Sequence, residues 1–132
     1  MLAQDLMTRS PVCVTTRTRL KDAIETMFAI DVRHIPVLED ERLVGMLSER
    51  DLRPLWDLAL DSAVTDGRVY DRRVTDLMSS NPLTVDSEAD ADEVIELLLE
   101  HRIGAVPVVD ADGMLVGIVS YVDVLKAAIG RL

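Results

Sequence analysis

The chain has 132 residues, 48% of them hydrophobic and 29% charged, enough for one ordinary globular domain with a single core as the default. Asp and Glu number 24 against 14 Lys and Arg, a formal charge of −10 with no basic run, which argues against nucleic acid or an anionic membrane as partner, since both are held by basic clusters that neutralise phosphate. There is no basic leader followed by an apolar run, and no stretch approaches the roughly 18 apolar residues of a membrane span; with Cys13 as the sole cysteine, the reading is a cytoplasmic protein without an intrachain disulfide.

In chain order, the first predicted element is a short strand closing the stretch "DLMTRSPVCV", which begins at Asp5. Leu20, Ala23, Ile24, Met27 and Phe28 follow with the i, i+3, i+4, i+7, i+8 spacing of one buried helix face, and Thr16 is the candidate N-cap. "HIPVL" from His34 and "LVGML" from Leu43 are Val- and Ile-bearing runs on either side of the polar turn "EDER" and read as strands. Pro36 cannot donate to a sheet ladder, so it is expected at a strand start or on an edge. A helix over about Glu49 to Leu60 ends this set, and the polar stretch "DSAVTDGRVYDRR", with Gly67, is the connection, placed at about 61–75.

The same elements then return. "DLMSSNPLTV" begins at Asp76, an offset of 71 residues from Asp5, which carries Pro11 onto Pro82 and Val14 onto Val85. The helix face reappears as Ala91, Val94, Ile95, Leu98 and Leu99, with Ser87 the candidate N-cap and Asp90 completing an approximate capping box. "AVPVV" from Ala105, the turn "DADG" and "MLVGIV" repeat the strand pair, with Pro107 on Pro36. Gly117 falls on Gly45 at offset 72 because the second turn is one residue longer. A helix over about Tyr121 to Ile129 closes the set. Repeat one covers about 5–60 and repeat two about 76–132, each reading strand, helix, strand, strand, helix, and each too small to bury its own apolar faces. Packed face to face as one module, 1–132, they predict an α/β fold with pseudo-two-fold symmetry and two equivalent clefts between the halves.

Both repeats end their last strand in Ser-x-x-Asp: "VGMLSERDL" with Ser48 and Asp51, and "VGIVSYVDVL" with Ser120 and Asp123. The ordinary reading is a capping box, with the carboxylate favoured in a first helical turn. The same geometry serves a ligand. A helix start offers N–H groups to an anion, the hydroxyl adds a donor, and an acceptor-only carboxylate can take the two hydroxyls of a ribose diol.

A Pro-x-x-Val opening, an amphipathic helix, an apolar-Pro-Val strand, a Val-Gly strand ending in Ser, and Ser-x-x-Asp opening a helix, stated twice from Asp5 to about Ala128, together closely resemble the cystathionine β-synthase (CBS) domain pair, or Bateman module. "GMLSERDL" matches the family's usual wording; "GIVSYVDVL" keeps Ser and Asp but has Val122 where the first repeat has Arg50. The resemblance implies two tandem CBS repeats forming a regulatory module that binds adenosine-containing ligands, AMP, ADP, ATP or S-adenosylmethionine, with or without Mg²⁺. Carried over by position, Asp51 and Asp123 would hold ribose hydroxyls, and Ser48 and Ser120 would contact phosphate or sugar. The backbone from His34 through Ile35 and Pro36 to Val37, and from Ala105 through Val106 and Pro107 to Val108, would face the base. Thr15, Thr16, Asp86 and Ser87 would line the walls, and Arg33 and Arg50 could meet a phosphate or remain solvated. A homodimer joined through helices is implied, as is a regulated partner on a separate chain.

Other constellations are weaker. His34 and His101 occupy different repeat positions without ligand-spaced neighbours, so a metal site is not expected. "DADG" lacks the rest of a calcium loop and reads as a hairpin turn. Trp56 suits a packing or dimer contact better than ligand stacking. No Ser–His–Asp elbow, Cys–His pair or phosphate-binding Gly loop suggests an enzyme. The competing reading is a ligand-free dimeric scaffold that keeps the fold.

Overall fold

The computed structural model of the chain describes residues 1–55 and 72–131. In chain order its elements are α1 (Ala3–Leu6), β1 (Thr8–Arg9), β2 (Val14–Thr15), α2 (Leu20–Ala29), β3 (His34–Glu39), β4 (Arg42–Ser48), β5 (Ser79–Ser80), β6 (Val85–Asp86), α3 (Ala91–His101), β7 (Ala105–Val109), β8 (Leu115–Ser120) and α4 (Tyr121–Ala128). Short 3-10 turns lie at Arg50–Leu52 and Val74–Asp76. The mixed α/β class and the doubled element order are as expected. The remainder of the helix expected to Leu60, Trp56 and the Gly67 connection lie outside the described residues.

Two compact units form, and neither is a sequence repeat. One is contiguous, Val12–Asn81; the other joins Met1–Pro11 to Pro82–Leu132. Their sheets have the same plan, β2-β3-β4-β5 in the first and β6-β7-β8-β1 in the second. In each, the first strand runs parallel to the second, with α2 or α3 as the crossover a parallel pair requires, and the remaining pairs are antiparallel. The fourth strand is contributed by the opening of the other repeat. Thr8 pairs with Ile118 and Arg9 with Gly117, while Ser79 pairs with Met46 and Ser80 with Gly45. The "DLM" methionines lock this arrangement. Met7 lies across Gly117 and Met78 across Gly45, so closely that a Cβ at either glycine would run into the methionine sulfur. That approach is what both Val-Gly strands require of their glycine.

The backbone repeats as faithfully as the sequence. Ser10 and Asn81, just before the prolines, both have positive φ (47° and 51°), as do Asp31 and Arg102 at the ends of α2 and α3 (54° and 51°). The β3–β4 hairpin turns on Asp40 and Glu41, both with positive φ, the requirement of a two-residue type I′ turn. "DADG" is the hairpin turn expected of it: Asp110 Oδ1 accepts from the N–H groups of Asp112 and Met114, and Gly113 takes φ 79°.

Several expectations are corrected. Among the described residues the buried apolar side chains fall into two clusters, not one core: Leu20, Ile24, Ile35, Val37, Leu47 and Val74 among others in the contiguous unit, and Leu6, Val94, Leu98, Val106, Val108 and Val119 among others in the composite one. Each unit closes its own core by borrowing the other repeat's opening. Thr16 and Ser87 are not N-caps. The helices begin three residues later, after Arg19 and Asp90, and their first N–H groups go to distant carbonyls, Leu20 N to Arg72 O at 2.6 Å and Ala91 N to Met1 O at 2.9 Å. Pro36 is in mid-strand, with β4 on one side; β2 spans only the positions opposite Val37 and Leu38, so at Pro36 the other side of β3 needs no donor. Phe28 and Leu99, placed on the buried faces, are 71% and 65% exposed. Among the described residues no helix is long and apolar enough to cross a membrane.

Candidate functional site

The β3–β4 register sets His34 opposite Ser48 and Ile35 opposite Leu47; the β7–β8 register sets Ala105 opposite Ser120 and Val106 opposite Val119. Just past each serine the chain is pinned again, Glu49 N donating to Arg33 O and Tyr121 N to Gly104 O. The two Ser-x-x-Asp segments therefore leave their sheets from the same place and with the same geometry.

At the first, Asp51 Oδ2 accepts from Ser48 N at 2.8 Å and from Ser48 Oγ at 3.0 Å, while Ser48 Oγ accepts from Asp51 N at 3.3 Å. At the second, Asp123 Oδ2 and Ser120 exchange the same three hydrogen bonds at 2.8, 3.0 and 3.3 Å. These are closed capping boxes, and Ser120 is the N-cap of α4. All four side chains are half-buried and keep contact with solvent.

The second oxygen of each carboxylate differs. Asp123 Oδ1 accepts from Thr8 Oγ1 at 3.0 Å, whereas Asp51 Oδ1 has no partner among the described residues, although Ser79 stands where the repeat offset places Thr8. Charge differs as well. Arg50, exposed and without an ion-pair partner among the described residues, occupies the position of Val122. Arg33 is on the same side but is drawn to Glu49 (Nε to Oε2, 3.6 Å), a surface pair with little hold on either partner. His34 sits amid these groups. Burial pushes its pKa below the usual 6.5; Asp51 and Glu49 pull the other way, and Arg33 and Arg50 add to the lowering.

The other predicted site residues divide. Ile35, Pro36, Val106 and Pro107 are fully buried and Ala105 nearly so; the side chains of Ile35 and Val106 belong to the two core clusters, and those of Pro36, Pro107 and Ala105 are buried outside them. Thr15 and Thr16 lie at the Leu38 end of β3, and Asp86 and Ser87 at the Val109 end of β7. Four residues along a strand is about 13 Å. Within each unit they are therefore at the opposite end of the sheet from its Ser-x-x-Asp. Thr15 and Thr18 share a hydroxyl turn, and Asp86 Oδ1 accepts from Glu88 N. Thr8 was not among the candidates. Extending the repeat alignment to the hydroxyl pair Thr8 and Ser79 would have raised it. Among the described residues no group of three His, Cys, Asp or Glu side chains could hold a metal ion.

Comparison with known proteins adds the family. The CBS domain model matches residues 3–55 and 74–130. A CBS domain-containing protein of Dictyostelium discoideum is 30% identical over 137 residues, 98% of this chain and 92% of that protein. The crystal structure of CBSX2 in complex with AMP superposes with a TM-score of 0.83 at 34% identity, covering 98% of this chain and 97% of that one. An inosine-5'-monophosphate dehydrogenase of Aquifex aeolicus is 30% identical over 119 residues. The chain spans only 22% of that enzyme and 58% of the chloroplastic CBSX2 of Arabidopsis thaliana.

Proposed function

Because the chain belongs to the CBS domain family, with two domains in tandem, we propose that it is a regulatory module that binds adenosine-containing ligands at its Ser-x-x-Asp segments and conveys their presence to a separate protein. The observation that carries this reading is the exact-register repetition of one strand-to-helix junction, each offering a hydroxyl, a helix-start N–H group and a carboxylate, in a chain related to a protein that has AMP bound. Asp51 and Asp123 take the ribose hydroxyls, Ser48 and Ser120 the sugar or phosphate, Arg50 the phosphate, and the strand backbone beside His34 and Ala105 the base. In this reading the protein is cytoplasmic and has no turnover of its own. The relationship to a dehydrogenase involves about a fifth of that enzyme, and among the described residues no nucleophile with an adjacent base accompanies the carboxylates.

A homodimer is part of the proposal. On α4, Val122 and Leu125 are exposed at i, i+3 spacing, Leu125 at 68%; Ile129, just past the end of the helix, is 79% exposed, and Leu99 on α3 is also exposed.

Isothermal titration of the full chain with AMP, ADP, ATP and S-adenosylmethionine, with and without Mg²⁺, tests the ligand. Binding that Asp51→Asn weakens for AMP and adenosine alike supports the reading. A second reading, a dimeric scaffold that binds no ligand, is favoured by the closure of both capping boxes, which satisfies each serine and one oxygen of each carboxylate internally. It prevails if no ligand in this panel gives heat or thermal stabilisation. Ligand recovered chemically altered after incubation with repurified protein would overturn the absence of turnover.

A further inference from the structure

The two Ser-x-x-Asp carboxylates are matched in every internal contact but one. Each spends Oδ2 on its own serine; among the described residues only Asp123 also spends Oδ1, on a hydroxyl that arrives from 115 residues away on β1. To hold both hydroxyls of a ribose, a carboxylate must present its oxygens side by side; at Asp123 both are already engaged, whereas Asp51 keeps Oδ1 open among the described residues. We propose that Thr8 is an internal competitor for the ligand at Asp123, so that the Asp51 site fills first and the Asp123 site fills only as Thr8 gives way. This rests on the adenosine-binding reading of these segments and concerns the order in which they act.

The β1 register explains why the competitor is effective. Thr8 pairs with Ile118, two residues before Ser120, and the strand is held there by Met7 against Gly117. The hydroxyl is thus delivered by a fixed strand, and a β-branched side chain has few rotamers in which to turn it away. Ser79 has the equivalent register, opposite Met46, yet makes no hydrogen bond to Asp51. Serine is free at χ1 where threonine is not. The absence of a cation at Val122 acts in the same direction for phosphorylated ligands, and the two effects can be separated by using adenosine, which carries no phosphate.

The test is calorimetric titration of the full chain with adenosine and with AMP. Asp51→Asn should remove the tighter phase and leave the weaker one. In that background Thr8→Val, which keeps the shape and the β-branch, should tighten the remaining adenosine binding by about three- to tenfold, the worth of one hydrogen bond to a half-buried carboxylate, and Thr8→Ser should give less. The reciprocal variant, Ser79→Thr in the otherwise unaltered chain, should weaken the tighter phase by a similar factor, and it remains informative if Thr8→Val folds poorly. Residual adenosine affinity that is unchanged or weaker in Thr8→Val, together with no effect of Ser79→Thr, overturns the competitor while leaving the adenosine reading intact. If the unaltered chain takes up neither probe, the adenosine reading itself falls, and the order of filling with it.

Discussion

Arg50 and Val122 occupy one position in two otherwise matched junctions, so the chain contains its own control for the contribution of a guanidinium. If Arg50 meets phosphate, Arg50→Ala weakens AMP by about tenfold and leaves adenosine unchanged, a charge-assisted contact discounted for the exposure of Arg50. Equal loss for both ligands in parallel titrations would make Arg50 a structural residue instead. His34 supplies a second prediction. Its pKa is lowered in the fold, chiefly by burial, so the folded chain binds fewer protons here than the unfolded chain between the lowered value and 6.5. The contribution is fully present above about pH 6.5 and is lost as pH falls through the lowered pKa. Denaturant titrations at pH 7.5 and pH 5 should show a loss of stability at pH 5 that is smaller in His34→Gln. An identical loss in the variant would assign the acid sensitivity to other groups.

At the scale of elements, the glycines of β4 and β8 are where the borrowed strands are most exposed to test. Adding a methyl at Gly117 drives it into the Met7 side chain, and at Gly45 into Met78 with the Ser79 carbonyl at 3.1 Å. Gly117→Ala should cost about 1–3 kcal/mol as overpacking, and Met7→Ala combined with it should recover part of that loss, a coupling read from a double-mutant cycle in urea. Additive losses would show that Met7 does not restrain β8. This pairing also marks the limit of what the sequence discloses. The helices were legible because their inner faces recur every three and four residues, and the Ser-x-x-Asp boxes because capping is local. The borrowed strands were not, since two residues carry no periodicity and their partners are far off in sequence, Ile118 for Thr8 and Met46 for Ser79. The N-caps failed for a related reason: Leu20 and Ala91 are capped by the carbonyls of Arg72 and Met1, and no local signal reports a distant acceptor. Phe28 and Leu99 were assigned inward because periodicity reports which side of a helix a residue occupies, not how deep that side lies.

For the molecule as a whole, the exposed apolar stripe on α4 is the feature with the largest consequence for assembly. Val124 and Ala127 on the same helix pack against the core, so Val122 and Leu125 form a second apolar face directed outward, with the exposed Ile129 just beyond the helix end. Light scattering at micromolar concentration should give twice the 14.6 kDa chain mass, and Leu125→Asp should shift it towards one, because an isologous contact meets each substitution twice. A single-chain mass for the unaltered protein would remove the dimer from the proposal. Membership of the family was legible from the order of weak motifs, none decisive alone. The division into a contiguous and a composite unit was not, because it depends on where short segments pair.

That division also imposes an order in time. A ribosome adding about 5–20 residues per second completes β4 well before Ser79 exists, and completes the Val12–Asn81 unit a few seconds before Gly117 is made. Throughout the first interval, the segment already synthesised that matches β5 is β1, preceded by the same Asp-Leu-Met and ready to lay Met7 on Gly45 in place of Met78. For that interval the nascent chain offers β4 a segment that matches β5 before β5 itself is made. The Thr8 hydroxyl bond to Asp123, which can form only after the last strand has emerged, is one of the contacts that favours β1 on β8.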